Sequence, residues 1–383
     1  MSTPTITPED QEQNRRVDEQ GAAENTLGVW VLRIISALVI PAVLFVFFLS
    51  LGFLRDPESS KLLQVAVAVV VGVGGVWALF WGMDRSVGLL PERAAVAVRP
   101  YAFAGPAMIL LGFYLVYPAV NTFILSFQDR DGEAWVGFAN YETVFTQSDY
   151  LIAMRNSVLW AIVVPLICVV IGLVFATLAD LLSRRSESFS KSLIFLPMAI
   201  SFVGASVVWR FVYSFRPEGF GEQIGLLNAI WVGLGNDPVQ WLALQPWNNL
   251  FLMVILIWLQ TGFAMVVLSS AIKSVPEELI EAARIDGATE WNVFRRIVVP
   301  SIASTIVVVW TTVLIMTWKV FDIVFVMTRG RDGTSVVAER MVTEFFTFDN
   351  DGMGATLAVL LFVAVVPILI INVKRFRQQE ALR

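Results

Sequence analysis

The chain has 383 residues, 57% hydrophobic and 15% charged, with 28 Phe, 13 Trp and a mean hydropathy of +0.71. That apolar share exceeds the ~45–50% of soluble domains, and a net charge of −5 offers no general attraction to nucleic acid. With no histidine and a single cysteine, Cys168 inside an apolar run, imidazole chemistry and an internal disulfide are both excluded. Residues 1–27 are polar and poor in aromatics, which predicts a disordered tail without the pattern of a cleaved signal peptide. A bilayer core about 30 Å thick takes roughly 20 apolar residues as helix. Runs of that kind fall at 28–52, 62–83, 101–127, 156–182, 189–214, 247–272, 301–328 and 355–373. The expected fold is therefore all-α and integral to a membrane, with about eight transmembrane helices.

Lys and Arg set the expected orientation, because cytoplasmic loops carry their excess. Sixteen of the 27 basic residues fall on the side of the amino terminus and eight on the other, with Arg33, Arg210 and Lys319 inside segments. Both termini are thus expected in the cytoplasm, which an even number of segments allows. The outer connections, about 128–155, 215–246 and 329–354, are long and rich in aromatics, turn formers and acids. They either form a surface for a partner or cap the bundle. No 20–50-residue period repeats, so a solenoid is excluded.

One inner connection is unusual: VPEELIEAARIDGATEWNVFRRIVVPS, 275–301. Ser274 followed by Glu277 fits a capping box, and Pro276 suits a first turn, where its missing N–H costs nothing. Leu279, Ile280 and Ala283 share one face, flanked by Glu277, Glu281 and Arg284 in register. Gly287 predicts the helix exit and Thr289 a cap for a second helix running towards Pro300. The small pair Ala282–Ala283 admits close packing by something outside. An amphipathic helix lying in the membrane interface fits the same pattern.

Spacing separates these readings. Glu281-Ala282-Ala283, three residues, Gly287, nine residues, Ile297, then Val299-Pro300 resembles the loop signature of ABC importer permeases. Val299 stands where that family usually has Leu. Glu278, Leu279 and Asp286-Gly287-Ala288, with Trp135-Val136-Gly137-Phe138 and Asn140-Tyr141, resemble its sugar-importing group. KSLIFLPMAISFVGASVVW, WNNLFLMVILIWLQTGFAMV and KVFDIVFVMT are similar to the maltose-type α-glucoside permeases. The likeness covers roughly 100–376, leaving 28–99 as two leading helices with a linker and 377–383 as a carboxy-terminal tail.

The resemblance implies a six-helix permease core and a coupling helix around Glu281–Gly287 that docks on a cytoplasmic ATPase subunit. It implies a second related permease, two ATPase subunits and an extracytoplasmic sugar-binding protein, assembled in the cytoplasmic (inner) membrane of a bacterium among its lipids. No G-x-x-x-x-G-K-[ST] occurs, so ATP and Mg²⁺ would belong to the partners and the chain itself is no enzyme. The coupling residues it implies are Glu278, Leu279, Glu281, Ala282, Ala283, Asp286 and Gly287.

Polar groups within a bilayer are costly and usually face the bundle interior. Gln260 and Phe263 share one helical face, and Met316 and Thr317 lie in the seventh segment. By their offsets from Pro276 and Pro300, all four fall where the maltose-type family lines its sugar path, with helix packing as the competing reading. Lys319 and Asp322, i and i+3, are expected to neutralise each other, Arg210 to snorkel outward and Asp180 to be solvated. An ion-coupled carrier working through Lys319, Asp322 or Arg210, and a receptor that does not translocate, are the rival functions. Which sugar is carried is not written in these residues.

Overall fold

The computed structural model describes residues 38–380, apart from 58, 89, 91 and 218. The expected tail 1–27, the start of the first segment at 28–37 and residues 381–383 lie outside the described residues. The chain divides into two compact units, the first ending at Pro118 and the second beginning at Ala119.

The first unit holds α1 (Leu38–Leu54), α2 (Lys61–Gly88) and most of α3 (Glu92–Leu125). At a rise of 1.5 Å per residue, the 28 residues of α2 and 34 of α3 are ample to cross a bilayer. Leu62, Val70, Trp77, Ile109 and Tyr114 are exposed, as side chains against lipid must be. Phe80 stacks on Phe103 at 6.0 Å, and Arg99 pairs with Asp84 at 3.1 Å where α2 and α3 join.

The second unit is built on α5 (Ser148–Asp180) and α9 (Asn248–Ile272), with α12 (Ala303–Trp318) packed against both. Trp160, Val164, Cys168 and Ala176 of α5 meet Leu252, Leu256, Leu259, Met265 and Leu268 of α9 in one buried cluster. Lipid gives no hydrophobic drive for helices to associate, so close backbone approach must hold them. Two glycines permit it. A Cβ on Gly172 would lie 2.7 Å from Ala264 Cβ, and one on Gly262 would lie 2.5 Å from the Ile194 carbonyl oxygen.

Two expected segments are broken. In place of one helix over 189–214, α6 (Arg184–Ala199) and α7 (Phe202–Val212) meet at 102°. Leu196–Ala199 tightens to a 3₁₀ turn at Pro197, and Ser201 caps α7 by accepting the Gly204 N–H at 3.1 Å. In place of 301–328, α11 (Glu290–Ser301) meets α12 at 69° just after Pro300, and α13 (Asp322–Met327) follows as a separate helix. Helix α12 ends at Trp318, so Lys319 and Asp322 share no helix and form no ion pair. Arg210 does not snorkel free; its guanidinium donates to the Val326 carbonyl and ties α7 to α13.

Helices α4 (Ala139–Thr146), α8 (Leu226–Gly233), α14 (Val337–Phe346) and α15 (Asp351–Glu380) complete the unit. Among the described residues there is no strand, only an isolated bridge between Gln128 and Trp135. Among the described residues, five helices are long and apolar enough to span, seven if each bent pair is one span, and α1 is a shorter apolar helix.

The close contact at Gly262 makes a direct prediction. Gly262→Ala drives a methyl into the backbone of α6 and costs about 1–3 kcal/mol, read as a lower melting temperature of the purified protein in detergent. Gly105→Ala, inside α3 with nothing within 4 Å, does not lower melting. Equal behaviour of the two variants would contradict this packing.

Candidate functional site

At the end of α9 the chain leaves the bundle. Lys273 caps α9, Pro276 adopts extended backbone (φ −56°, ψ 129°), and α10 (Glu277–Ile285) begins. The expected capping box is absent: Ser274 Oγ donates back to the Ala271 carbonyl at 2.7 Å, because the extended Pro276 carries the chain away before a box can close. The exit is a complete glycine cap. Gly287 sits at φ +83°, its N–H bonds to the Arg284 carbonyl, and the Ala288 N–H bonds to the Ala283 carbonyl, each at 3.0 Å. Thr289 then caps α11, accepting the Asn292 N–H. Arg284 reaches over the turn to Glu290, with paired hydrogen bonds of 2.8 and 3.1 Å, and does not pair with Glu277 or Glu281. The turn is thereby fixed from both sides.

None of α10 is buried. Ile280 and Ala283 are half-buried, whereas Glu278, Leu279, Glu281, Ala282, Asp286 and Gly287 are exposed. Ile285 is 85% exposed, with Trp291 beyond it at 66%. Glu278, Glu281 and Asp286 make no ion pair among the described residues. The helix thus offers apolar side chains and free carboxylates that its own chain does not use.

Where α10 leaves the bundle, a charged group fastens three helices. Glu187 of α6 pairs with both Lys191 and Lys273. Asp180, at the end of α5, lies 3.7 Å from Lys191 and 3.6 Å from Lys273. The hydrogen bond to Glu187 holds the Lys273 ammonium above its ordinary pKa, with Asp180 adding to the effect. Asp180, expected to be solvated, is therefore paired. No local spacing announces this cluster, since its members are brought together from three helices.

Inside the bundle, Gln260 and Thr317 are buried, Phe263 packs half-buried against the core, and Met316 is exposed. Thr317 Oγ1 donates to the Val313 carbonyl at 2.7 Å. Gln260 is 3% exposed and its Oε1 has no hydrogen-bond partner. Helix α9, which carries Gln260 and Phe263, packs on α12, which carries Met316 and Thr317.

The opposite end carries a polar latch that sequence reasoning missed. Asn156 donates to the Gly333 and Ser335 carbonyls at 2.7 and 2.8 Å, Asn248 to Asp332 at 2.7 Å and Gln245 to Asp332 at 2.9 Å. These amides grip a turn in which Arg329 and Asp332 take left-handed backbone, φ 53° and 56°. A cavity of about 490 Å³ lies beside it, lined by Arg155, Asn156, Gln245 and Asn249 among others. The consecutive Asn248-Asn249 pair at a helix start was the available signal.

The fold is that of a solved bacterial ABC transporter involved in the import of the acidic polysaccharide alginate: TM-score 0.65 at 21% identity, over 75% of this chain and 99% of that one. Residues 169–377 match the family of binding-protein-dependent transport system inner membrane components, and the chain belongs to that family. It is a multi-pass permease component of an ABC importer, a transport subunit and not an enzyme. The osmoprotective compounds uptake permease protein GgtC of Synechocystis is 52% identical over 281 residues, 73% of this chain and 100% of that protein. The alpha-glucoside transport system permease protein AglF of Rhizobium meliloti is 45% identical over 335 residues, 84% of this chain and 99% of that protein.

The latch is directly testable. Asn156→Ala leaves the Ser335 carbonyl without its amide donor and the Gly333 carbonyl with only Asn249 at 3.3 Å, at about 1–3 kcal/mol for a carbonyl left unsatisfied and buried. Limited trypsin digestion in detergent is expected to cut at Arg329 or Arg331 faster than in the unsubstituted protein; equal rates would contradict the latch.

Proposed function

We propose that this chain translocates α-glucosides or related small oligosaccharides, with α10 in the cytoplasm docked on an ATPase subunit. The observation that carries the docking is the exposure of α10 together with its rigid exit: a capped, ion-paired turn presents Leu279, Ile285 and free carboxylates that nothing among the described residues covers. Ala282 and Ala283 keep that surface low, and Glu281 offers a carboxylate to a basic group or backbone N–H of the partner. The cargo class is supported by the AglF likeness, which extends over nearly all of that alpha-glucoside permease.

In this reading both termini are cytoplasmic, and a second permease completes the path. Two ATPase subunits supply ATP and Mg²⁺. A sugar-binding protein meets the opposite end, where the 329–335 turn is held by its amides. Closure of the ATPase pair on ATP draws the docked helices together and switches the cavity between its two faces. Gln260 supplies a buried amide oxygen free to accept a sugar hydroxyl, with Phe263, Met316 and Thr317 on the same path. An ion-coupled carrier working through Lys319, Asp322 or Arg210, and a receptor that does not translocate, are not favoured by the family match and the likeness to AglF.

Gly287→Leu forces a branched side chain into left-handed backbone and misaligns α10. In reconstituted complex, sugar uptake is expected to fall at least about fivefold while ATP hydrolysis continues. Unchanged uptake would remove the coupling role. Gln260→Leu is expected to reorder the sugars that compete for uptake while hydrolysis stays coupled. If it gave the same uncoupling as Gly287→Leu, the separation of path from coupling would be wrong.

A further inference from the structure

Three helix ends meet where the chain departs for α10. Helix α5 contributes Asp180, α6 contributes Glu187 and Lys191, and α9 contributes Ser269 and Lys273. Glu187 bridges both ammonium groups, and Asp180 lies within 3.7 Å of each. The Ser269 hydroxyl accepts from Lys191 and donates to Asp180 at 3.4 Å. Two carboxylates balance two ammonium groups, and the side chains of Asp180, Glu187 and Lys191 are no more than 22% exposed. Partly desolvated charges of this kind hold their geometry firmly, because removing one partner strands the other.

Only Ser274 and Val275 separate Lys273 from Pro276, the residue on which α10 starts. A force on α10 therefore reaches the bundle first through Lys273. With no clasp, that force would be spent in bending the short turn at Ser274 and Val275 and the extended Pro276. With it, the pull is shared at once by α5 and α6.

We propose that Glu187 is a positioning residue for energy coupling: through Lys273 and Lys191 it fastens the end of α9 to α5 and α6, so that displacement of α10 moves the three helices as one body. The proposal rests on α10 being the helix that an ATPase subunit moves. Glu187 touches neither sugar nor nucleotide and acts only through its partners. Were its role merely structural, stability and transport would fall together and the sugar imported per ATP hydrolysed would not change.

That ratio is the measurement, made on the assembled complex of both permeases, two ATPase subunits and binding protein in proteoliposomes. Glu187→Gln, which keeps the shape and removes the charge, and Lys273→Gln are each expected to lower it about fivefold. Glu187→Asp, which keeps the carboxylate between Lys191 and Lys273, is expected to hold it within about twofold of the unsubstituted complex. An unchanged ratio in both Gln variants, or a Glu187→Asp ratio no better than that of Glu187→Gln, overturns the proposal. Gly287→Leu in parallel separates the two claims. If it uncouples while Glu187→Gln does not, the clasp's role fails and that of α10 stands. If it leaves the ratio intact, the reading of α10 fails and takes the clasp's role with it.

Discussion

The contact between α5 and α9 is the constraint on which the rest depends. At Gly172 the two backbones come so near that no side chain fits between them, and Ala264 fills what space is left. In lipid such closeness replaces the hydrophobic drive that would hold the same helices in water. It fixes the axis of α9, and with it both of that helix's ends. One end delivers Asn248 and Asn249 to the left-handed turn at 329–333; the other delivers Lys273 to the charged clasp and launches α10.

The polar groups of the second unit are accordingly concentrated at the two ends of an apolar column. Each end solves a different problem. The amide latch satisfies carbonyls of a turn whose backbone makes no regular ladder, at a cost that only buried donors can offset. The clasp neutralises four charges where α5 and α9 end and α6 begins, three residues before the extended Pro276 from which α10 starts. Between the ends, Gln260 keeps a buried amide oxygen that has no hydrogen-bond partner among the described residues.

Much of this was legible locally. The exit of α10 was readable because a glycine in left-handed backbone and a threonine cap stand two residues apart, at Gly287 and Thr289. The start of the same helix was misread, since Ser274 and Glu277 have capping-box spacing but Pro276 turns the chain first. Apolar run length located the spans and concealed the breaks at Ser201 and Ile302, although Pro197 and Pro300 stood beside them. The clasp was not legible at all: Asp180, Glu187 and Lys273 come from separate stretches and meet only through the packing of α5, α6 and α9. Gln260 stood out as a polar residue in an apolar run, and the packing of α9 leaves its side chain buried.

The central claim is that α10 is a contact surface for an ATPase subunit. With Cys168 replaced by Ala, Ile285→Cys would carry the only thiol in the chain, on a side chain that is 85% exposed. A membrane-impermeant maleimide applied from the cytoplasmic side of inverted vesicles should label it readily when the ATPase subunits have been stripped away, and poorly when they are bound. Equal labelling in both states would contradict the account.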